Sequence, residues 1–464
     1  MGLRHTSIHG EWSSRFAFIL AATGSAVGLG NIWRFPYITG ENGGGAFVLV
    51  YLLCVVLIGV PIMMAEIMLG RRGRQTPVNT MRTLAEEAGR LPVWEGIGWM
   101  GMAAGFLILS FYSVVGGWTL AYVIRTGVGV FNGATAQGVR SIFASFTEDP
   151  ERLLAWHTIF MVMTIVVVSR GVRSGLEQAV RFLMPGLFLL LLVLVGYGMG
   201  TGKFDVAVHY LFNLNFQRLS PKAVLDAMGQ AFFSLSLGMG AIMIYGSYLS
   251  HTASIARTTF IIAFMDTLVA LLAGLVIFPI VFGYGLPVQK GTGLIFMTLP
   301  IAFGEMPGGA FFGMLFFILL VFAAWTSAIS LLEPIVTWLV ENRGMNRVKA
   351  SAWAGMAAWA LGVVCLLSLN VWDRYTLFGK NFFGLLDFLT ANIMLPLGGL
   401  LIAVFAAWRM PRQASSDELG MGDGIRYRLW RALVRYLAPV AIILVFLNVS
   451  GILDLILGLL GRHR

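Results

Sequence analysis

Residues 23–31 read Thr23-Gly24-Ser25-Ala26-Val27-Gly28-Leu29-Gly30-Asn31. They sit in the middle of an apolar segment, residues 14–39, and put glycines and side-chain oxygens where an uninterrupted membrane helix would carry leucine and valine. A second apolar segment, 222–249, is interrupted in the same way by Phe233-Ser234-Leu235-Ser236-Leu237-Gly238-Met239-Gly240. Alone, either stretch is explained by packing, since Gly24 and Gly28 form a small-xxx-small pair that lets two helices approach closely. Together they predict two helices that unwind at mid-membrane depth. Each opens a run of five apolar segments, and non-helical backbone at that depth is tolerated only where it lines a site.

Outward from these stretches, apolar runs lie near residues 14–39, 45–69, 97–123, 155–170, 175–199, 222–249, 258–284, 308–340, 350–370, 382–408 and 436–459. That is about eleven segments, each near the ~20 residues needed to cross hydrocarbon. The 464-residue chain is 58% hydrophobic and 12% charged, with mean hydropathy +0.82; a soluble domain carries roughly one-quarter charged residues. The expectation is an all-α polytopic membrane protein in one domain. Its inverted repeats of five segments each would cover about 12–200 and 220–408, with an extra helix at about 436–459.

Arginines and lysines gather after the second segment (Arg71, Arg72, Arg74, Arg82, Arg90), after the fourth (Arg170, Arg173), after the eighth (Arg343, Arg347, Lys349) and after the tenth (Arg409, Arg412, Arg426, Arg428, Arg431, Arg435). All four loops fall on one side, which places the N-terminus in the cytoplasm. An odd segment count leaves the tail Arg462-His463-Arg464 outside, a mild violation that keeps the count open. The net charge of +10 is thus a topology signal and not a nucleic-acid footprint. Cys54 and Cys365, both in apolar segments, make no disulfide framework or zinc spacing. The first segment lacks a small-residue cleavage site and is read as a span, not as a removed signal peptide.

Unwound helices expose carbonyls and half-helix C-termini that coordinate cations, and N–H groups at half-helix N-termini that face anions. The run from Gly24 to Tyr37, with Asn31-Ile32-Trp33-Arg34-Phe35-Pro36, followed by Glu41-Asn42-Gly43-Gly44-Gly45-Ala46-Phe47, resembles the signature of the neurotransmitter:sodium symporter family. The Ser-Leu-Ser-Leu-Gly-Met-Gly run at 234–240, Thr326-Ser327 and Asp387 extend the likeness over nearly the whole chain. The resemblance is to the family's bacterial amino-acid transporters, of the leucine and multi-hydrophobic kinds, and implies a place in the bacterial cytoplasmic membrane.

The resemblance implies two sodium sites. The first uses the carbonyl of Ala26, the side chains of Asn31, Ser234 and Asp266, and the substrate carboxylate. The second uses carbonyls of Gly24, Val27 and Ala323 with the hydroxyls of Thr326 and Ser327. Oxygen ligands without sulfur or imidazole suit a hard cation; the alternative for a lone Ser or Thr is a bond to its own helix one turn back. Many relatives carry asparagine at the position of Asp266. An intramembrane carboxylate costs about 2.5 to 3.5 kcal/mol or more, which makes a functional partner the default over packing or a helix-end role. Chloride-dependent relatives have a serine one turn further on, where this chain has Ala270. Asp266 is therefore expected to supply the negative charge permanently, without chloride, and to take up a proton on the empty return step.

By the same resemblance, backbone N–H groups of Gly28, Leu29 and Gly30 face the substrate carboxylate, aided by the Tyr112 hydroxyl. Amine-transporting relatives have aspartate at the position of Gly28, so glycine there argues for an α-amino acid. Ile108, Phe233, Ser234, Ser236, Met239, Ser327 and Leu331 complete the pocket. Its wall is apolar, which points to neutral hydrophobic substrates, although core packing equally explains Met239. Arg34 and Asp387 would form an outer gate through water, above a lid of Tyr112 and Phe233. Trp12, Tyr248 and Glu341 match inner-gate positions. His9 stands where the family has arginine, so that pair is in doubt or pH-sensitive. Gly175 and Pro185 have the spacing of the family's helix-unwinding motif, with an ordinary proline kink as the alternative.

The expected partners are a hydrophobic amino acid and the lipid bilayer, with the chain a monomer or weak homodimer. A non-transporting sensor of the same fold remains the rival; a channel is further off. An enzyme fits least, for want of a metal-ligand triad, a phosphate loop or a nucleophile with a base.

Overall fold

The computed structural model describes residues 7–201, 203–286 and 291–449. Apolar segments become helices because hydrocarbon offers their backbone no other hydrogen-bond partner. Among the described residues nine helices are long and apolar enough to cross a membrane: Gly45–Gly73, Pro92–Gly127, Pro150–Ser169, Val172–Met199, Ile255–Gly283, Gly309–Arg343, Arg347–Leu367, Phe382–Arg409 and Ile425–Asn448. The first segment is a bent pair, Arg15–Ala26 and Gly30–Glu41, turned by 53° at its break. Segment 222–249 is likewise divided, into Pro221–Ser234 and Ala241–Ser247. The fold is all-helical, the described residues adding only an isolated bridge between Leu377 and Lys380.

Burial sorts the helices into core and rim. Within their most apolar windows, Pro92–Gly127 and Gly309–Arg343 are 78% buried, whereas Pro150–Ser169 and Ile425–Asn448 are 33% buried and turn most of their surface outward. The two buried helices pack against each other along much of their length, and Gly309–Arg343 also lies against Arg15–Ala26 and Ala241–Ser247. The broken segments are therefore held at the centre of the bundle, where their exposed peptide groups meet protein and not lipid.

Two expectations shift at the membrane boundary. The polar stretches near 70–96, 124–153 and 409–434, which by composition alone are expected to be loops between spans, contain the helices Pro77–Glu87, Ala136–Thr147 and Arg412–Leu419. Side-chain caps start several helices, as where the Thr135 hydroxyl accepts the Gly138 N–H at 3.1 Å. The last helix begins at Ile425 and not near 436, because its arginines can lie at the interface with their aliphatic stems along the protein. The expected end of that segment, 450–459, lies outside the described residues.

Candidate functional site

The first break falls at Val27–Leu29. Gly28 N–H donates to Asn31 Oδ1 at 3.0 Å and Leu29 N–H to the Tyr112 hydroxyl at 3.2 Å, so the carbonyls of Gly24 and Ser25 lose their helical i→i−4 partners. The Ser25 carbonyl instead accepts the hydroxyls of Ser236 at 3.0 Å and Ser327 at 3.4 Å. The Val27 carbonyl accepts Ser327 at 3.1 Å. Gln230 Nε2 caps the Gly30 carbonyl at 3.1 Å. Partnering of this kind is what makes an unwound stretch tolerable inside a membrane.

The second break runs from Leu235 to Gly240. Its backbone turns through positive φ at Ser236 (52°), Gly238 (80°) and Gly240 (74°). A Cβ on Gly238 would lie 2.6 Å from the Leu395 carbonyl oxygen, so both conformation and space require glycine. Gly238 N–H donates to Glu66 Oε1 at 2.6 Å.

The two breaks bring the expected ion ligands together. Asn31 Nδ2 donates to Ser234 Oγ (2.9 Å), Asp266 Oδ1 (2.8 Å) and the Asp266 carbonyl (3.1 Å), while Ser234 Oγ donates to Asp266 Oδ2 at 2.5 Å. Asn31 and Asp266 are fully buried and Ser234 nearly so. The donor set is all oxygen except for the amide nitrogen, and a half-turn of the Asn31 amide would present its oxygen at the cost of the bond from Gly28 and of the Nδ2 bonds to Ser234 and Asp266. Ala26, the last residue of its helix, borders the cavity beside them.

The second group also converges. A Cβ on Gly24 would meet Thr326 Cβ at 3.2 Å, and Val27 is tied to Ser327. The Thr326 hydroxyl donates to the carbonyls of Phe322 (3.0 Å) and Ala323 (3.1 Å). That is the ordinary back-bond of a helical threonine, and it holds the Thr326 hydroxyl on the Ala323 carbonyl, both of them expected ligands of the second site.

Beside both groups is a cavity of about 30 Å³, lined by Ala26, Gly28, Leu29, Gly30, Ile108, Tyr112, Phe233, Ser236, Met239, Ser327 and Leu331, with Ser25 and Ser330. Each expected substrate-contacting residue except Ser234 borders it; Ser234 turns to Asp266 behind. Tyr112 and Phe233 also line a second, wider cavity of about 420 Å³ with Arg34 and Asp387. The lid residues thus separate a narrow inner chamber from an outer vestibule. Arg34 and Asp387 form no direct ion pair among the described contacts; the Arg34 guanidinium lies 4.5 Å over the Phe233 ring centroid.

A family model described as the sodium:neurotransmitter symporter family matches residues 9–129 and 142–454. The chain belongs to the sodium:neurotransmitter symporter family. It is 40% identical over 447 residues to the uncharacterized sodium-dependent transporter YhdH of Bacillus subtilis, covering 96% of this chain and 98% of that one. The sodium-dependent dopamine transporter of Bos taurus is 26% identical over 483 residues, covering 92% of this chain and 67% of the other. The crystal structure of MhsT in complex with L-phenylalanine matches with a TM-score of 0.87 at 42% identity, covering 95% of this chain and 99% of that chain. This symporter-family chain is a multi-pass membrane transporter that depends on sodium, and not an enzyme.

On the arginine-rich side this symporter-family chain is closed by ties from its N-terminal segment. Trp12 Nε1 donates to the Tyr245 carbonyl at 3.1 Å and Trp12 N–H to the Tyr248 carbonyl at 3.2 Å. The Tyr248 hydroxyl donates to Glu333 at 2.9 Å, and Glu333 is also paired with Arg347. His9 Nε2 lies 3.1 Å from Glu341 Oε1, and the other Glu341 oxygen accepts from Thr76 N–H (3.1 Å) and Asn79 Nδ2 (2.8 Å). His9 and Glu341, both matched to inner-gate positions in the sequence, are therefore in contact. The arginine-rich side is tied together by these contacts, while the cavity bordered by Arg34 and Asp387 lies on the other side of the chamber.

Sequence reasoning passed over three buried carboxylates: Glu66, which holds the second break, Glu333 in the inner network, and Glu177. Glu177 accepts from Ser13 N–H at 3.0 Å and Arg181 Nη2 at 2.6 Å, tying the start of segment one to segment five. The signal was present, since an ionisable group within an apolar segment is a functional candidate by default. What was missing was the identity of their partners, which are distant in sequence. Segment five itself is continuous, π-helical over Val172–Glu177 and α-helical through Pro185.

Proposed function

We propose that this chain is a sodium-coupled symporter of neutral hydrophobic L-amino acids working by alternating access. The observation that carries the proposal is the chamber between the two helix breaks, where released peptide groups and apolar side chains border one cavity. The substrate carboxylate faces the N–H groups at Gly28–Gly30 and the Tyr112 hydroxyl, and its side chain lies against Ile108, Phe233, Met239 and Leu331. An acceptor side chain at position 28 would crowd this site, since a Cβ there lies 2.8 Å from Ser327 Oγ and 2.9 Å from the Tyr112 hydroxyl. That supports a ligand bearing its own carboxylate. The chamber is small, so a bulky substrate is admitted by movement of Phe233 toward the vestibule.

One sodium ion is held by Ala26, Asn31, Ser234 and Asp266 with the substrate carboxylate, and a second by Gly24, Val27, Ala323, Thr326 and Ser327. Asp266 serves in place of chloride and exchanges a proton on the return step. Arg34, Asp387, Tyr112 and Phe233 gate the outer side; Trp12, Tyr248, His9 and Glu341 gate the inner. Eleven spans in two inverted repeats of five, residing in the bacterial cytoplasmic membrane with the N-terminus inside, complete the reading. The test is radiolabelled leucine and phenylalanine uptake into proteoliposomes under an inward sodium gradient. Saturable, sodium-dependent accumulation is expected; substrate binding without accumulation would replace transport by sensing.

A further inference from the structure

At the arginine-rich end of the bundle, Arg412, Tyr427, Arg428, Arg431, Arg435 and Tyr436 line an open cavity of about 420 Å³ that is remote from the substrate chamber. Its lining includes no carboxylate. Arg412 is paired with Asp423 at 3.1 Å, and Arg431 donates to the Tyr427 hydroxyl at 2.8 Å. Arg435 Nε is buried without a hydrogen-bond partner among the described residues. Guanidinium groups converging on one concavity repel one another unless an anion joins them, and their planar forks match phosphate oxygens.

Two features point to a phosphate carried by a lipid. The Arg435 guanidinium lies 4.5 Å over the Trp408 ring and 5.5 Å from that of Tyr436, and tryptophan and tyrosine mark headgroup depth. The helix that supplies Arg428, Arg431 and Arg435 continues, at helical spacing from Tyr436, into the exposed residues Val440, Ile443 and Leu444. Basic residues thus give way to an apolar stripe on a single helix, the order of a headgroup and its acyl chains. Retention of arginines in a loop, as topology requires, explains their number but not a cavity with an unsatisfied buried Nε.

We propose that this pocket binds the phosphate of an anionic phospholipid, with the acyl chains along Tyr436, Val440, Ile443 and Leu444. The test uses the purified full chain, titrated with phosphatidylglycerol, cardiolipin, phosphatidylcholine or inorganic phosphate, and read by native mass spectrometry and thermal stability. Saturable retention of the anionic lipids is expected, weakened about tenfold or more by Arg428→Gln with Arg435→Gln. Arg90→Gln with Lys349→Gln, exposed basic residues elsewhere on the chain, leaves it unchanged. Equal retention of phosphatidylcholine, or equal loss in the loop variant, overturns the site. Displacement of the lipid by millimolar inorganic phosphate makes it a soluble-anion pocket and overturns the lipid assignment. Sodium-induced thermal stabilisation checks that each variant is folded; should the double variant fail, Arg428→Gln alone is expected to weaken retention about threefold.

Discussion

At the scale of single residues, the proposed function turns on Asp266 and Gly28. Asp266 shares its carboxylate with Asn31 and Ser234 in a fully buried cluster, so a cation bound there as proposed would meet a carboxylate and not an amide. Asp266→Asn is expected to raise the sodium concentration for half-maximal substrate binding by about tenfold or more, at least 1.4 kcal/mol. Sodium titration of substrate binding checks this; an unchanged midpoint removes Asp266 from the ion site. Gly28→Asp places a charged side chain against Ser327 Oγ and the Tyr112 hydroxyl, each within 3 Å of its Cβ. Amino-acid binding is expected to fall by at least about 100-fold, the scale of an unpaired buried charge, measured by equilibrium binding in folded protein.

At the scale of elements, the breaks behave as built structures. Gly238→Ala forces a side chain into a left-handed backbone and onto the Leu395 carbonyl; a loss of about 1–2 kcal/mol or more is expected, read as a lower melting temperature. The junction of segments one and five depends on Ser13 and Glu177. Ser13→Ala removes the hydroxyl that Glu177 accepts and keeps the backbone bond. It is expected to speed amide exchange at residues 11–14 and 172–181 several-fold while leaving the outer vestibule unchanged. Unaltered exchange in segment five would mean that the two elements are not coupled through this carboxylate.

For the whole molecule, the proposed alternating access makes the wide vestibule and the tied arginine-rich side one end of a cycle, biased by ligands that bind one state better than the other. Sodium at about 100 times its dissociation constant is expected to stabilise the fold by about 2.7 kcal/mol per ion bound only to the native state. Replacing sodium by potassium should lower the melting temperature, whereas replacing chloride by gluconate should change neither stability nor uptake. Uptake that collapses in gluconate defeats the role given to Asp266. Two sodium ions moving down a tenfold gradient and 100 mV supply roughly 7 kcal/mol, enough for a substrate gradient of about five orders of magnitude.

Composition and periodicity made the membrane helices legible, because hydrocarbon imposes long apolar runs whatever the neighbours are. The interruptions at 23–31 and 233–240 were legible for the same reason: glycine and hydroxyl residues at that depth need an explanation within the segment itself. Boundaries near water were not, as the early start of the last helix shows, since there helix and loop can both satisfy their peptide groups. Which buried groups meet was decided by tertiary structure alone. Glu66 reaches Gly238, Glu177 reaches Ser13 and His9 reaches Glu341, contacts between residues more than 160 positions apart that no local pattern records. Local sequence sets where a helix must break; only packing sets which carboxylate, hydroxyl or ring stands opposite the groups the break releases.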